Sequence, residues 1–306
     1  MAFFFSIIIS DICLLLAVAF FTLMERKILG YIQVRKGPNK VGFTGLLQPF
    51  ADALKLFAKE RLSIIFMNVF FFFFSPVFSL FLALLLWLLF PSCYSYFFSF
   101  FGIFFFLCIS SMSVYSTLFA GWSSNSKYAL LGALRSVAQT ISYEVSLILI
   151  LLSVAFSVGS FFFFFFFFFQ SFYFWVFFLL FPIFYIWLVT VLAETNRAPF
   201  DFAEGESELV SGFNIEYGGG AFALLFLAEY GSILIMCIFS SVFFVGSFFG
   251  FLFIMLFAGG LSFLFLWVRG SVPRMRYDQL MGLTWKSFLP VSLFFLFFSS
   301  FVSWFI

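Results

Sequence analysis

The chain has 306 residues, of which 65% are hydrophobic, 9% are charged and 63 are phenylalanine, a composition that excludes a soluble globular protein. The net charge of +2 indicates little about partners, because the charges are segregated along the chain. Apolar runs of twenty or more residues recur, and each is long enough to cross a bilayer as a helix. The composition therefore predicts an all-α polytopic membrane protein, with residues 1–306 forming a single integral membrane domain.

The pattern of apolar runs predicts eight transmembrane helices. They cover approximately residues 3–24, 68–90, 99–121, 134–157, 168–192, 218–245, 248–268 and 284–305. Apolar residues run almost unbroken from Val145 to Leu192, so the turn between the fourth and fifth spans is placed near Gly159. The nine phenylalanines at 161–169 are interpreted as lipid-facing filler rather than a site. Pro182 predicts a kink inside the fifth span.

Basic residues lie in or beside the odd-numbered connections between these spans. Eight of the fifteen lie between Arg26 and Arg61, and the others lie in or next to the third, fifth and seventh connections. The connections near 91–98, 158–170 and 245–248 carry no charge. By the positive-inside rule, the odd-numbered loops face the matrix or cytoplasm and both termini face the other side.

The first connection also contains an amphipathic segment, PFADALKLFAKER (49–61). Phe50, Leu54 and Phe57 recur at helical spacing, and the opposite face carries charged residues that include Asp52. This pattern predicts an interfacial helix in the first loop, with Pro49 in its first turn. A simple membrane-surface anchor and a functional element both fit the pattern.

The connection at 193–217 concentrates acidic residues. It holds six of the thirteen acids and a single base, Arg197. Acids packed this densely beside a bilayer repel one another, which raises their affinity for protons. The connection is therefore a candidate entry or relay for protons.

Two carboxylates are predicted to lie within the membrane. Glu144 lies in the fourth span and Glu229 in the sixth, and each neighbours a tyrosine, Tyr143 and Tyr230. An ionised carboxylate at the bilayer centre costs about 3 kcal/mol or more, so such residues usually face a polar interior and are functional. Together with Glu194 at the end of the fifth span, they form a ladder leading from the acidic connection. The alternative is that they are structural and satisfied by nearby Ser and Tyr hydroxyls.

The four cysteines are scattered and the chain has no histidine. No spacing resembles a ligand set for zinc, haem or an iron–sulfur cluster. If the protein takes part in redox chemistry, its electron carriers are expected on another chain.

Three long strings, 25–60, 121–147 and 192–217, together resemble one family. They read ERKILGYIQVRKGPNKVGFTGLLQPFADALKLFAKE, GWSSNSKYALLGALRSVAQTISYEVSL and LAETNRAPFDFAEGESELVSGFNIEY. The chain is similar to the subunit 1 family of the membrane arm of mitochondrial NADH:ubiquinone oxidoreductase, respiratory complex I. The WVRGSVPRMRYDQLM stretch (267–281) also matches, and the resemblance extends over nearly the whole chain.

The resemblance implies two groups of site residues. In that family the subunit forms the membrane-side part of the ubiquinone chamber and begins the chain of charged residues leading to the pumping subunits. The chamber or its mouth would be lined by Glu25, Arg26, Arg35, Asp52, Arg197, Arg269, Arg274 and Arg276. The proton relay would comprise Tyr143, Glu144, Glu194, Asp201, Glu204, Glu206, Glu208, Glu216, Glu229 and Tyr230.

The resemblance also implies the surroundings of the protein. Ubiquinone would be the substrate, while NADH, FMN and the iron–sulfur clusters would bind partner subunits and no cofactor or metal would bind this chain. The expected partners are the hydrophilic quinone-site subunits, neighbouring membrane-arm subunits and membrane lipids, with no nucleic acid. The expected location is the mitochondrial inner membrane, with odd-numbered loops in the matrix and both termini in the intermembrane space.

Three alternatives compete with this interpretation. A cation/proton secondary transporter would also contain buried carboxylates, but such proteins usually have internal repeats, and none is visible here. The related anchor subunit of a membrane-bound hydrogenase would not need quinone. A purely structural anchor would not need charge concentrated in its loops.

Overall fold

All the regular secondary structure that the computed structural model describes is helical, which confirms the predicted all-α class. The described residues are 2–60, 66–90, 101–172, 176–202, 205, 212–246 and 250–305. The α-helices are, in chain order, α1 (Ala2–Ile32), α2 (Gln48–Ala58), α3 (Val69–Trp87), α4 (Gly102–Ser123), α5 (Lys127–Val158), α6 (Phe163–Phe172), α7 (Val176–Leu179), α8 (Phe181–Glu194), α9 (Gly219–Phe244), α10 (Phe251–Ser271), α11 (Tyr277–Leu283) and α12 (Leu289–Phe305). Short 3₁₀ helices cover Phe43–Gly45 and Gly212–Glu216, and a π-helical turn at Thr284–Phe288 joins α11 to α12.

Within the described part of the chain, seven helices are long and apolar enough to cross a membrane, with Tyr277–Trp304 counted as one. The predicted fifth span is the exception, because its described residues form the shorter helices α6, α7 and α8. Residues 173–175 of that span lie outside the described ranges. Helix α8 is apolar but has only 14 residues.

Pro182 lies just after a break between α7 and α8, which falls where a kink in the fifth span is predicted. It occupies the first turn of α8, where a missing backbone N–H removes no intrahelical bond. The interruption falls at Leu180, whose φ of −116° and ψ of 36° are not helical. The preceding turn, near Gly159, lies where the sequence predicts it: α5 ends at Val158, and Gly159 adopts a left-handed conformation with φ 74°.

Several helices extend beyond their predicted ends. Helix α1 continues to Ile32 rather than ending near residue 24, and α5 begins at Lys127 rather than near residue 134. The prediction counted apolar residues, so it stopped where charges begin, but Glu, Lys and Arg are good helix formers. Glu25 and Arg26 consequently project from a helix rather than from a loop, which gives each a defined direction.

The core is built around α5 and α9. More than half of the most apolar stretch of each helix is buried, whereas the final span is mostly exposed. Helix α9 packs against α3 and α10, and α5 packs against α4, α8 and α12. The buried carboxylates predicted on α5 and α9 therefore lie on the two most buried of the seven membrane-length helices.

Part of the phenylalanine run belongs to this core, which corrects its interpretation as lipid-facing filler. Phe163 and Phe166 are buried, and Phe163 packs against α9 with ring centroids 5.1 Å from Phe239 and 5.3 Å from Phe243. Phe165 is half exposed, as expected for a lipid-facing residue. Composition alone could not separate the two faces, because all nine residues are identical.

The glycines at 218–220 lie at the start of α9. Gly218 is extended, and Gly219 has φ 59° at the first helical position. A Cβ on Gly219 would lie 3.3 Å from the backbone oxygens of both Lys59 and Glu60, just beyond the end of α2. Glycine thus permits the left-handed backbone and the close approach of α2 to α9.

A glycine also sets the distance between α4 and α5. A Cβ on Gly121 would lie 2.2 Å from the Cβ of Ala133, a separation that requires the helices to move apart. We expect Gly121→Ala to destabilise the fold by about 1–3 kcal/mol through overpacking, measured as a lower thermal midpoint of the assembled complex. Gly260→Ala in α10 is the matched control, since its Cβ would meet nothing within 4 Å. Equal losses from the two variants would contradict this account.

Candidate functional site

The centre of the candidate site is Glu25, a buried carboxylate near the end of α1. Its two oxygens accept hydrogen bonds from the Tyr230 hydroxyl of α9 and from the Arg269 guanidinium of α10. Tyr230 and Arg269, which are 205 and 244 positions after Glu25 in the sequence, thus meet at one carboxylate. Because a buried carboxylate is costly unless it is paired, these two donors account for the presence of charge at this depth.

Tyr230 links this group to a second one. The guanidinium carbon of Arg197, in the turn after α8, lies 4.3 Å from the centre of the Tyr230 ring. A guanidinium at this distance from an aromatic face is attracted by the ring quadrupole. One Arg197 nitrogen also lies 3.7 Å from a carboxylate oxygen of Glu229. Residues assigned by resemblance to the chamber and to the relay therefore contact each other directly.

A small cleft lies on the Glu25 side of Arg197. It combines the polar groups of Glu25, Arg197, Tyr230 and Arg269 with apolar side chains from α1, α9 and α10. Its volume is about 10 Å³, which is less than a quinone ring needs. On this chain alone the cleft is therefore too small to enclose such a ring.

A larger cavity of about 120 Å³ lies on the other side of Arg197. Glu194, Arg197 and Glu229 line it, so two carboxylates of the predicted relay share one cavity. Its remaining polar lining is mostly hydroxyl: Ser79, Ser110, Ser113, Ser116, Thr117, Thr140, Thr195 and Ser232. A cavity of this size and polarity has room for several water molecules.

The hydroxyls of this cavity present acceptors rather than donors. Ser110, Ser113 and Ser116 of α4, for example, each donate to the backbone carbonyl three residues earlier at 2.6–3.0 Å. A hydroxyl whose hydrogen is used in this way still has free lone pairs. The lining is therefore suited to accept hydrogen bonds from water or from a protonated carboxyl group.

Glu144 and Tyr143 lie on the α5 side of the same region. Glu144 is half-buried and near enough to Glu194 for the two carboxylates to interact electrostatically. Tyr143 is fully buried, and its hydroxyl has no hydrogen-bond partner among the described residues. Neighbouring serines do not satisfy Glu144: Ser142 and Ser146 both donate to backbone carbonyls of α5.

Five of the predicted chamber residues lie apart from the Glu25 group. Arg26 forms an exposed ion pair with Asp52 of α2, and Gln48 donates to the same carboxylate at 3.0 Å. Arg35 donates to Gln33 at 2.8 Å, and Arg276 pairs with Asp278 at 2.9 Å on the surface. The guanidinium carbon of Arg274 lies 5.6 Å from the centre of the Phe202 ring. The Arg26–Asp52 pair joins α1 to α2, and the contacts of Arg35 and Arg276 are local ones beside the ends of α1 and α11.

The acidic connection is only partly within the described residues. Asp201 and Glu216 are described and are half-buried, with Glu216 ending the 3₁₀ helix Gly212–Glu216. Glu204, Glu206 and Glu208 lie outside the described ranges. In the described residues, no three His, Cys, Asp or Glu side chains come together as a metal ligand set.

Two features of the site were not predicted. One is the hydroxyl lining that α4 contributes, for which the sequence signal is four serines at 110–116, three of which line the cavity. The other is Gln139, a buried glutamine of α5 that contacts the turn carrying Glu194 and Arg197. Intramembrane glutamine is a signal of the same kind as intramembrane glutamate and could have been noted.

Comparisons with known proteins identify the family of the chain. The sequence pattern of the NADH dehydrogenase family matches residues 5–300. NADH-ubiquinone oxidoreductase chain 1 of Anopheles gambiae is 60% identical over 288 residues, which cover 94% of this chain and 91% of the relative. The proteins of the same name from Aedes aegypti (287 residues, 94% and 91% covered) and Heterololigo bleekeri (290 residues, 92% and 91% covered) are 58% and 55% identical. Identity at this level over nearly the whole length means that the chain belongs to the NADH dehydrogenase family of NADH-ubiquinone oxidoreductase chain 1 subunits.

Proposed function

We propose that this subunit forms the membrane-side wall of the ubiquinone chamber and couples quinone reduction to proton translocation. The observation that carries the proposal is the position of Arg197. Its side chain lines both the cleft beside Glu25 and the 120 Å³ cavity that contains Glu194 and Glu229. A single cation thus contacts the candidate quinone wall and the candidate proton pathway.

The chemistry of ubiquinone suits the Glu25 side of the site. The molecule has a polar ring on an isoprenoid tail, so its chamber must open towards lipid and end in polar groups. The cleft provides Glu25, Tyr230 and Arg269 among apolar side chains. Because the cleft is smaller than the ring, the hydrophilic quinone-site subunits would complete the chamber.

Electrostatics provides the coupling. Reduction to quinol takes up two electrons and two protons, which changes the charge and hydrogen bonding beside the Glu25–Arg269 pair. Charges in a low-dielectric site interact over several ångströms, so Arg197 would respond and shift towards or away from Glu229. Such a shift would change the proton affinity of Glu229 and, through the cavity, that of Glu194, which interacts electrostatically with Glu144. The response would be a population shift between two arrangements.

The topology that fits this function has eight crossings. Helices α6 to α8 together form the fifth, and α2 lies in the membrane interface. Its exposed Leu54 and Phe57 would contact lipid, while Asp52 is held by Arg26 of α1. The positive-inside rule then directs the odd-numbered loops, including the acidic connection, to the mitochondrial matrix and both termini to the intermembrane space.

The remaining chemistry belongs to other subunits. NADH, FMN and the iron–sulfur clusters would bind the hydrophilic partners, and this chain would contribute no electron carrier. The family match favours this role over the transporter and hydrogenase-anchor alternatives.

Photo-crosslinking with a short-tailed ubiquinone analogue in native membranes tests the proposal. We expect label on this chain within 25–60 or 194–230, and displacement of the label by excess quinone. A label confined to neighbouring subunits would contradict the chamber assignment.

A further inference from the structure

Gln139 is fully buried on α5 and holds both ends of the turn that follows α8. Its side-chain amide nitrogen donates to the carbonyl oxygen of Ala193 at 2.8 Å and to that of Phe200 at 2.9 Å. Ala193 belongs to the last turn of α8, and its carbonyl oxygen also accepts a bond from the backbone N–H of Asn196 at 3.2 Å. One amide group therefore spans the whole turn between these two residues.

This turn carries the polar groups that the proposed function needs. All four residues from Glu194 to Arg197 line the 120 Å³ cavity, whereas Gln139 itself does not. The turn also has backbone bonds of its own, among them Arg197 N to Leu192 O at 3.4 Å, Phe200 N to Arg197 O at 2.8 Å and Met275 N to Pro199 O at 3.2 Å, and the two bonds of Gln139 join Ala193 to Phe200 across it. Gln139 can thus affect the cavity only through the residues it holds.

Only a side chain with two donors on one atom makes both contacts. A primary amide provides two N–H groups, an ionised carboxylate provides none, and leucine provides none. Asparagine has the same donors but is one methylene shorter. The two carbonyl partners also identify which end of the amide is nitrogen.

We propose that Gln139 is a positioning residue, whose amide sets the place of Glu194 and Arg197 by holding the Ala193 and Phe200 carbonyls. The inference rests on the proposed coupling role of those two residues. It extends that role to a residue that contacts neither quinone nor the proton pathway. Loss of the clamp would let the turn shift, and displacements of about 1 Å are enough to cost up to about 10²-fold in rate.

A matched control exists in the same chain. Gln170 is also fully buried, and its amide nitrogen donates to the Phe243 carbonyl at 2.7 Å, among residues that do not line the cavity. Gln139→Leu removes two buried hydrogen bonds to backbone carbonyls, and Gln170→Leu removes one of the same kind. A general loss of stability would affect both variants, whereas displacement of the turn would follow only from the first.

The test uses the assembled complex carrying Gln139→Leu, Gln139→Asn or Gln170→Leu. We expect both Gln139 variants to speed hydrogen exchange of the 194–200 backbone, to shift the pH profile of ubiquinone reduction and to lower the protons moved per electron. Gln170→Leu should leave all three as in the parent complex. Gln139→Asn retains both donors and keeps the test valid if Gln139→Leu does not assemble.

Two outcomes separate the inference from the proposed function. Parental exchange rates and a parental pH profile in Gln139→Asn, or the same changes in Gln170→Leu, would overturn the positioning role. Faster hydrogen exchange of the 194–200 backbone with an unchanged number of protons moved per electron would support the positioning role of Gln139. It would contradict the link between that role and coupling. Under that second outcome, Glu194→Gln tests the proposed function independently. A changed number of protons moved per electron would support the relay role of Glu194, and an unchanged number would contradict it.

Discussion

Glu229→Gln is expected to lower the number of protons translocated per electron and to slow coupled ubiquinone reduction. Glutamine has nearly the same shape but cannot take up and release a proton. It also removes the anionic partner of Arg197, whose nitrogen is 3.7 Å from the carboxylate. At that separation the attraction is on the order of 4 kcal/mol at an effective dielectric constant of about 20.

Solvent and desolvation reduce the net effect of this change. The side chains of Arg197 and Glu229 are 10% and 26% exposed, so the ion pair is partly screened. A remaining loss of about 1.4–2.8 kcal/mol in the transition state corresponds to a rate lower by about 10- to 100-fold. Proton translocation and NADH oxidation, measured together in proteoliposomes, give both the ratio and the rate.

Two further variants show why Glu229→Gln loses rate or protons moved per electron. Glu60→Gln changes an exposed acid after α2 and should leave the rate and the ratio unchanged. The double variant Glu229→Gln with Arg197→Gln removes both charges. If Glu229 only neutralised Arg197, the double variant would recover the proton ratio; a relay residue predicts that it does not. An unchanged ratio in Glu229→Gln alone would refute the coupling role.

Glu25→Gln is expected to destabilise the assembled complex more than any other single change in the site. Glu25 accepts bonds from Tyr230 and Arg269, and its side chain is only 7% exposed. Removing one partner of a buried pair typically costs about 3–5 kcal/mol, because the other charge remains without compensation. The Arg269 side chain is 33% exposed, so we expect a loss near the lower end, seen as a reduced yield and a lower thermal midpoint.

Removing both charges separates stability from function. Glu25→Met with Arg269→Met replaces the pair with apolar side chains, and such replacements are often neutral or stabilising. Assembly should recover in this double variant, whereas ubiquinone reduction should not if the pair lines the chamber. Recovery of both properties would show that the pair is only structural.

The surface pair Arg276–Asp278 is the control for this prediction. Its side chains are 78% and 69% exposed. Exposed pairs contribute about 0–1 kcal/mol, so Asp278→Asn should change the thermal midpoint very little. A loss as large as that of Glu25→Gln would mean that burial is not what makes the Glu25 pair important.

Much of the secondary structure could be predicted from local pattern. The apolar runs indicated the all-α class and most of the spans, because a helix in lipid must satisfy its own backbone and needs about twenty apolar residues. The ends were less accurate. Helix α1 passes the predicted end and reaches Ile32, since charged residues stop an apolar run without stopping a helix.

Partnerships between distant residues could not be predicted in the same way. Glu25, Tyr230 and Arg269 each lie on a long helix that carries apolar residues on several sides. Local pattern does not determine how such a helix is rotated about its axis or which helix it contacts. Gln139 illustrates the limit, because its two partners are backbone carbonyls 54 and 61 residues away and leave no trace in side-chain type.

The sequence by itself determined the membrane class, the family resemblance and the identity of the carboxylates that must lie in apolar surroundings, because these depend on residue type and spacing along the chain. Only the tertiary structure decided that Arg197 contacts Tyr230 and Glu229, that Glu194 and Glu229 share one cavity, and that part of the phenylalanine run is buried. These outcomes depend on the packing of whole helices, in which close approach at residues such as Gly121 and Gly219 sets which side chains meet.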